Sequence, residues 1–329
     1  MNLKVLKTLE YDKIINRLSQ LATCDSGKRR CQELMPINDI EEIKHMQQET
    51  ACAFNRLVKF SDVSASGATD LRPSLARLEL GSTLTIEEIL SVASLLEVTK
   101  RVANYGKQME EEDALTFYFE GLSPEVALLN EIRRCIIDEE TIADDASTAL
   151  HDIRMGMKRT NDKIKSVMNS LLNNTTTRGY LQEPVVTVRG GRFCLPVRAD
   201  YKSRVPGMVH DQSSTGSTFF IEPMQAVDLN NELRELQVRE QDEIARILSN
   251  ISNKIAESSE GIIRNFELLT EIDFILAKGR YAIELNASNP EFNEDGIINL
   301  KGARHPLLEP KKVVATDIKL GEDYNLLLV

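Results

Sequence analysis

Apolar residues recur at helical spacing through most of residues 1–130, and this pattern predicts a helical assembly. Asp39 follows a proline-containing break and can cap the helix after it. Thr85, with Glu88 three residues later, forms a capping-box pattern for another helix, which Gly106 can end. We therefore predict that this part of the chain is a set of packed helices.

Two long helices are predicted further along the chain. The first begins at Glu131 and has apolar residues at seven-residue intervals, as in a coiled coil. Its repeat positions are Ile136, Ala143, Leu150, Met157, Ile164 and Leu171. The second follows residue 223, and its apolar face consists of Leu229, Leu233, Leu236, Ile244, Ile247, Ile251 and Ile255. Because a β segment separates them, we predict two antiparallel helices with a small β cap at the tip between them.

The β segment opens with EPVVTVRGGRFCLPVRADYKSRV, residues 183–205, in which two glycines separate two apolar-rich runs. Such a pair predicts a two-residue hairpin turn. The predicted register pairs Val186 with Leu195, Thr187 with Cys194, Val188 with Phe193 and Arg189 with Arg192. Like charges directly opposite each other cost stability, and nothing in the local sequence accounts for that cost. We therefore expect a ligand outside the hairpin to be the reason, and replacing both arginines to leave folding intact.

The composition is that of a soluble globular protein of about two domains, with 329 residues, 42% of them hydrophobic and 28% charged. We find no signal peptide and no apolar run of membrane length, so we expect a cytoplasmic protein with no membrane partner. The five cysteines are odd in number and form no CxxC pair, which indicates free thiols. Aromatic residues make up only 5% of the chain, which argues against stacking platforms as the main way to hold a ligand.

The net charge of −11 hides a basic island, because residues 151–204 contain eleven basic and four acidic side chains. A basic surface of this kind attracts a phosphate backbone. The predicted phosphate contacts are Arg178, Arg189, Arg192, Arg198, Lys202 and Arg204, with a secondary track of Arg154, Lys158, Arg159 and Lys163 on the first long helix. Two alternatives remain open for that helix, since its cations could be a solvated face or could pair with the acidic second helix.

Catalytic and metal sites are not predicted in this chain. In HDQSSTGSTFFIEP, residues 210–223, Ser213 or Ser214 could act as a nucleophile, but the polar residues are too close in sequence for a triad and fit a turn better. Cys24 and Cys31 have no histidine nearby to complete a metal site. The sequence has no GxxxxGK[ST] loop to hold a nucleotide phosphate.

Three stretches resemble the bacterial MutS-II subfamily, and together the resemblance spans essentially the whole chain. GSTFFIEPMQAVDLNNELRELQ, residues 216–237, resembles its junction between clamp and lever. GARHPLLEP and DIKLGEDYNLLLV, within residues 302–329, resemble the opening of the MutS ATPase domain. LEYDKIINRLSQLATCDSGKRRCQELMP, residues 9–36, resembles the N-terminus of the subfamily. Core-like helices begin at residue 1, which favours this branch over mismatch-repair proteins with two preceding domains.

The resemblance implies a mainly α fold with a helical core, long antiparallel lever helices, a small inserted β clamp and the first β-strands of a truncated ABC-type ATPase domain. The core would occupy residues 1–130 and the ascending lever helix residues 131–179. The clamp would occupy residues 180–223. The descending lever helix and second part of the core would occupy residues 224–298, and the incomplete ATPase domain residues 299–329.

The resemblance also implies a function, which is ATP-driven closure of a homodimer around branched DNA or around stalled, collided ribosomes and their rRNA. The chain is expected to be a fragment that ends before the Walker A loop. ATP and Mg²⁺ would then bind only in the full-length protein. This fragment would neither hydrolyse ATP nor cut nucleic acid, although the full-length protein could carry a nuclease domain. The competing hypothesis is a coiled-coil scaffold that binds proteins and no nucleic acid.

Overall fold

The fold is mainly α-helical, as predicted, and carries a few antiparallel strands. The computed structural model describes residues 3–109, 111–309, 311–322, 324 and 326. The chain divides into a central unit, Arg133–Ser252, and a flanking unit made from the parts of the chain on either side of it. Within the described residues, every helix is too short or too polar to span a lipid bilayer.

The flanking unit consists largely of helices. They are α1 (Leu3–Thr8), α2 (Tyr11–Ser19), α3 (Asp25–Gln32), α4 (Ile40–Lys59), α5 (Arg72–Glu79), α6 (Ile86–Gly106), α7 (Thr116–Glu120), α8 (Val126–Cys135) and α12 (Ser259–Leu285). The buried helix α12 packs against α3, α4 and α6. Both predicted caps are confirmed, because Asp39 accepts hydrogen bonds from the first turn of α4 and Thr85 forms a capping box with Glu88 at the start of α6.

The predicted continuous helix from Glu131 is wrong in its first part. Helix α8 ends at Cys135, Ile136 pairs with Ile142 in an isolated β-bridge, and a short 3-10 helix follows. Helix α9 (Thr148–Asn173) begins only where the Ser147 hydroxyl accepts a hydrogen bond from the backbone of Leu150. The apolar repeat was misleading because Ile136 is buried in a bridge, and burial alone does not specify a helical backbone.

The two long helices of the central unit are antiparallel, as predicted. They are α9 and α11 (Met224–Glu257), and a short helix α10 (Thr175–Tyr180) follows α9. In successive polar contacts between the two helices, the residue numbers rise along α9 and fall along α11, as antiparallel packing requires. Arg154 Nε lies 2.7 Å from Glu240 Oε1 near one end of α9, and the Thr160 hydroxyl donates to Glu232 Oε1 at 3.0 Å further along.

A four-stranded antiparallel sheet connects α10 to α11. Its strands are β1 (Thr187–Arg189), β2 (Arg192–Arg198), β3 (Gly207–Gln212) and β4 (Thr218–Pro223), in the spatial order β1-β2-β4-β3. The predicted register is confirmed for the three pairs nearest the turn, and β1 begins one residue later than expected. Gly190 and Gly191 have φ values of 55° and 77°, which fit the positive φ required at both positions of a type I′ turn.

The sheet and the two long helices share one hydrophobic core within the central unit. Its buried members are Ile164, Met168, Leu181, Leu195, Val197, Val205, Ile221, Ala226 and Leu233. Seven of them come from α9, β2, β4 and α11, and Leu181 and Val205 come from the connecting segments, so the sheet packs against the two helices and is not a loose appendage.

The last described part of the chain forms a two-stranded antiparallel sheet of β5 (Ile298–Ala303) and β6 (Thr316–Leu320). The Arg17 guanidinium donates to the carbonyl oxygen of Pro306 at 2.8 Å, a contact within the flanking unit between α2 and the segment after β5. The third predicted strand, in residues 324–329, falls mostly outside the described residues.

Candidate nucleic-acid interface

The ten cations predicted to contact phosphate all belong to the central unit, but they lie in three different environments. Arg154, Arg189 and Arg192 form ion pairs with carboxylates. Arg198 and Lys202 lie over aromatic rings. Lys158, Arg159, Lys163, Arg178 and Arg204 are exposed, and their side chains make no ion pair among the described residues. The three environments determine how much of each charge is available to a ligand.

Arg192 is part of a buried polar network. Its Nη1 lies 2.9 Å from Oε1 of Glu222, whose side chain is 0% exposed, and its Nη2 donates to Asn231 at 2.6 Å. The side-chain amide of Asn230 donates to Glu222 at 2.8 Å, and His210 Nε2 contacts the second carboxylate oxygen. Burial raises the pKa of Glu222, but the hydrogen bonds from His210, Arg192 and Asn230 outweigh burial and hold this pKa below its ordinary value.

Arg189 is compensated by a different carboxylate. Its Nε lies 3.3 Å from Asp211 Oδ2, and its guanidinium carbon lies 4.0 Å from the centre of the Phe220 ring. The two opposed arginines therefore meet separate partners, Asp211 on β3 and Glu222 on β4. The expectation that nothing in the fold accounts for the like-charge pair is wrong, because strand pairing supplies both carboxylates. Arg189 remains 39% exposed and keeps part of its surface open.

Arg154 pairs with the acidic second helix, which is one of the two alternatives given above for the secondary track. It contacts Glu240 on α11 and Asp144 in the 3-10 helix, and it donates to the backbone carbonyl of Ile142 at 2.8 Å. The other three cations of the predicted track point to solvent without such a partner among the described residues. In the secondary track, Arg154 therefore stabilises the fold, whereas the charges of the other three cations are available to a ligand.

Arg198 and Lys202 retain their charges without a carboxylate partner among the described residues. The Arg198 guanidinium carbon lies 5.0 Å from the centre of the Tyr201 ring, and its Nη2 donates to the carbonyl oxygen of Gly179. The Lys202 ammonium lies 4.3 Å from the centre of the Phe219 ring. A ring face stabilises a cation without neutralising it, so the positive charge of both side chains is available to a ligand.

One feature of this surface was missed from the sequence. Tyr180 stacks on Tyr201 with ring centres 5.0 Å apart and an interplanar angle of 23°. The two residues are far apart in the sequence, and the bridge between Leu181 and Val197 helps to bring their segments together. The clustering of both tyrosines within the basic island was the only available signal.

The polar segment after β3 forms a turn, as predicted. The Ser213 hydroxyl accepts a hydrogen bond from the backbone of Thr218, and the Gly216 N–H donates to the carbonyl oxygen of Ser213 at 2.8 Å. His210 contacts Glu222 and not a serine. Across the described residues, no group of three or more histidine, cysteine, aspartate or glutamate side chains is arranged to hold a metal ion. Cys24 instead caps α3 through its sulfur atom.

Comparison with known proteins identifies the relatives of the chain. No protein-family model matches it. Over the whole chain, it is 52% identical to Endonuclease MutS2 of Agathobacter rectalis, 48% identical to Endonuclease MutS2 of Lachnoclostridium phytofermentans and 40% identical to Endonuclease MutS2 of Clostridioides difficile. The chain spans 42% of the length of each of these relatives. Identity of 40–52% over the whole chain, to relatives that are all named MutS2 endonucleases, confirms the resemblance to the MutS-II subfamily.

Proposed function

We propose that the central unit binds the phosphate backbone of a nucleic acid. The contacts would come from the seven predicted cations that make no ion pair among the described residues, which are Lys158, Arg159, Lys163, Arg178, Arg198, Lys202 and Arg204. The proposal rests on the observation that these seven side chains are exposed and have charges that no carboxylate among the described residues compensates. Arg154, Arg189 and Arg192 are assigned mainly structural roles, because carboxylates of the same unit already compensate them.

The physical reason is the release of counterions from a polyphosphate. Each phosphate that a lysine or arginine neutralises releases condensed cations, and this gain is independent of base sequence. Unpaired surface cations on an otherwise acidic chain, with a net charge of −11, concentrate that attraction on one unit. The relatives are named endonucleases, a class of enzyme that acts on nucleic acid, and this name supports the same partner.

For the whole protein, we propose that a homodimer closes around branched DNA or around a stalled ribosome and its rRNA. ATP and Mg²⁺ would act in an ATPase domain of which residues 299–329 form the beginning. This chain has no GxxxxGK[ST] loop, so we assign none of its residues to the nucleotide. A nuclease activity of the whole protein is part of the same proposal.

The test is a salt titration of the 329-residue chain with labelled duplex DNA and with an rRNA fragment. Binding through phosphates gives a logarithmic slope of about −0.9 per phosphate on B-DNA. The triple variant Arg178→Ala, Lys202→Ala, Arg204→Ala should weaken binding and make the slope shallower by up to about 3. Arg234→Ala with Arg239→Ala, two exposed arginines of α11, is the control for loss of charge.

A shallow slope that the triple variant leaves unchanged would overturn the proposal. If the chain bound protein partners under the same conditions, that result would favour the scaffold hypothesis. Competition between the two labelled probes then separates DNA from rRNA.

A further inference from the structure

Three side chains of the central unit form what we call the tyrosine–arginine stack, Tyr180, Tyr201 and Arg198. The two rings stack at 5.0 Å, and the guanidinium carbon of Arg198 lies a further 5.0 Å from the centre of the Tyr201 ring. The carbonyl oxygen of Gly179 accepts a hydrogen bond from Arg198 and fixes the guanidinium beside the rings. Two stacked rings and a guanidinium group, from two separate segments, therefore lie next to one another.

Tertiary structure brings these segments together in a defined way. The isolated bridge between Leu181 and Val197 aligns the end of α10 with the end of β2, and the Gln182 N–H donates to the carbonyl oxygen of Pro196 at 2.8 Å. Tyr180 and Tyr201 also pack against the core of the unit, which anchors the stack. The positions of the flat groups are thus set by backbone pairing and not by flexible side chains alone.

Arg198 has capacity left for a ligand. It is an exposed residue with no carboxylate partner among the described residues. The guanidinium is planar, and its carbon lies 5.0 Å from the centre of the Tyr201 ring, which leaves an outer face of the group for a ligand. A phosphate is bound through hydrogen bonds in the plane of the guanidinium and makes no use of this outer face.

A nucleobase makes use of such a face, because unpaired bases stack on aromatic rings and on arginine planes. In a continuous duplex, each base is already stacked on its neighbours and is not available. Arg178, Lys202 and Arg204 lie within three residues of a member of the stack and could hold the phosphates of the same strand. The exposed acids Glu183 and Asp200 lie in the same stretch of chain and are outnumbered by these cations.

We propose that the tyrosine–arginine stack receives an unpaired base, so that this surface prefers single-stranded or unpaired nucleotides to a continuous duplex. The proposal rests on the phosphate contact proposed above and names the class of nucleic acid that the same surface selects. Phosphate contacts supply affinity for any strand, whereas the stack distinguishes strands with free bases.

The experiment compares three probes, a single-stranded oligonucleotide, an abasic strand of equal length and charge, and a duplex. Arg198→Lys keeps the charge and removes the flat guanidinium, and Tyr201→Leu removes a ring. We expect both variants to lose about 5- to 150-fold in affinity for the single strand, the range measured for base stacking, and to bind the abasic strand within about twofold of the parent. Arg239→Lys, on an exposed arginine of α11, is the matched control and should bind all three probes as the parent does.

Three results would overturn the proposal. If the parent binds the single strand and the abasic strand equally and both variants match it, the stack receives no base, while the phosphate contact stands. If the variants weaken all three probes equally, the tyrosine only positions Arg198 for phosphate. If no probe binds with a steep salt dependence, the phosphate contact has failed as well. Because Tyr201 touches the core, folding is checked by circular dichroism, and Arg198→Lys decides the question should Tyr201→Leu unfold.

Discussion

Arg192 on β2 forms an ion pair with Glu222 on β4, with 2.9 Å between Nη1 and Oε1, and the carboxylate is completely buried. Asn230 on α11 donates to the same carboxylate at 2.8 Å, so the pair links the sheet to the long helix. A charge at this depth is stable only while its partners satisfy it.

Arg192→Ala should therefore lower the free energy of unfolding by about 1–3 kcal/mol, because a buried carboxylate loses a charged hydrogen-bond partner. This reverses the expectation from the sequence, since relief of the like-charge pair with Arg189 is worth at most about 1 kcal/mol. Arg189→Ala is the matched control and should cost less than about 1 kcal/mol, because its pair with Asp211 is exposed. Urea denaturation measures both, and equal stability of Arg192→Ala and the parent would contradict the prediction.

Gly207→Ala should destabilise the edge of the sheet by about 1–3 kcal/mol, the usual cost of overpacking. A Cβ atom at Gly207 would overlap the carbonyl oxygen of Glu222 and lie 2.8 Å from Cγ2 of Ile221, so β3 and β4 would have to separate. Gly179→Ala is the control, because no atom lies within 4 Å of its Cβ and the residue is in α10. That change should be neutral or raise stability by up to about 1 kcal/mol. Thermal unfolding midpoints that fall equally for both variants would refute this account.

Glu243 on α11 should make stability depend on acid pH. Hydrogen bonds from Arg246 and Ser147 lower the pKa of this carboxyl to about 2. Because the folded pKa lies below the unfolded value of about 4.3, the stabilisation is present above that value and is lost as the pH falls towards about 2. The stability difference between the parent and Glu243→Gln should shrink across this window in urea titrations. Glu235→Gln, on the same helix and without an ion pair among the described residues, is the matched control.

Arg56→Lys should be strongly destabilising even though the charge is kept. Arg56 is 1% exposed, donates to both oxygens of Asp113 at 2.7 and 2.9 Å, and donates to the carbonyl oxygen of Gly106 at 3.2 Å. A lysine cannot reproduce this fork, so we expect a loss of about 1.5–3 kcal/mol. Arg56→Met leaves the carboxylate of Asp113 without its charged partner and should cost about 3–5 kcal/mol.

Chemical denaturation should therefore rank the parent above Arg56→Lys and Arg56→Lys above Arg56→Met. The control is Arg101→Lys, since this exposed arginine donates to the backbone carbonyls of Ser64 and Ser66, and we expect a change in stability of less than about 0.5 kcal/mol. If Arg56→Met equalled the parent, the buried pair would carry no net stability.

The features that depend on neighbouring residues could be predicted from the sequence. The cap at Asp39, the capping box at Thr85 and the turn at Gly190 and Gly191 each depend on side chains and φ values within a few residues. Apolar periodicity also determined the antiparallel long helices, because one buried stripe on each helix requires a partner. The MutS-II resemblance was available from the sequence for the same reason, since its motifs are local.

Contacts between distant segments set which charges lack a carboxylate partner and which aromatic rings stack. Glu222 lies 30 residues after Arg192, and strand pairing with burial brings the two charges together. Tyr180 and Tyr201 stack because a bridge aligns two distant segments. The helix predicted from the seven-residue repeat at Ile136 is wrong for a related reason. The repeat indicates that Ile136 is buried, but it does not specify the backbone conformation in which this residue is buried. Local patterns determine helices, caps and turns, whereas the partners of a charge or a ring are set by contacts between segments that are distant in the chain.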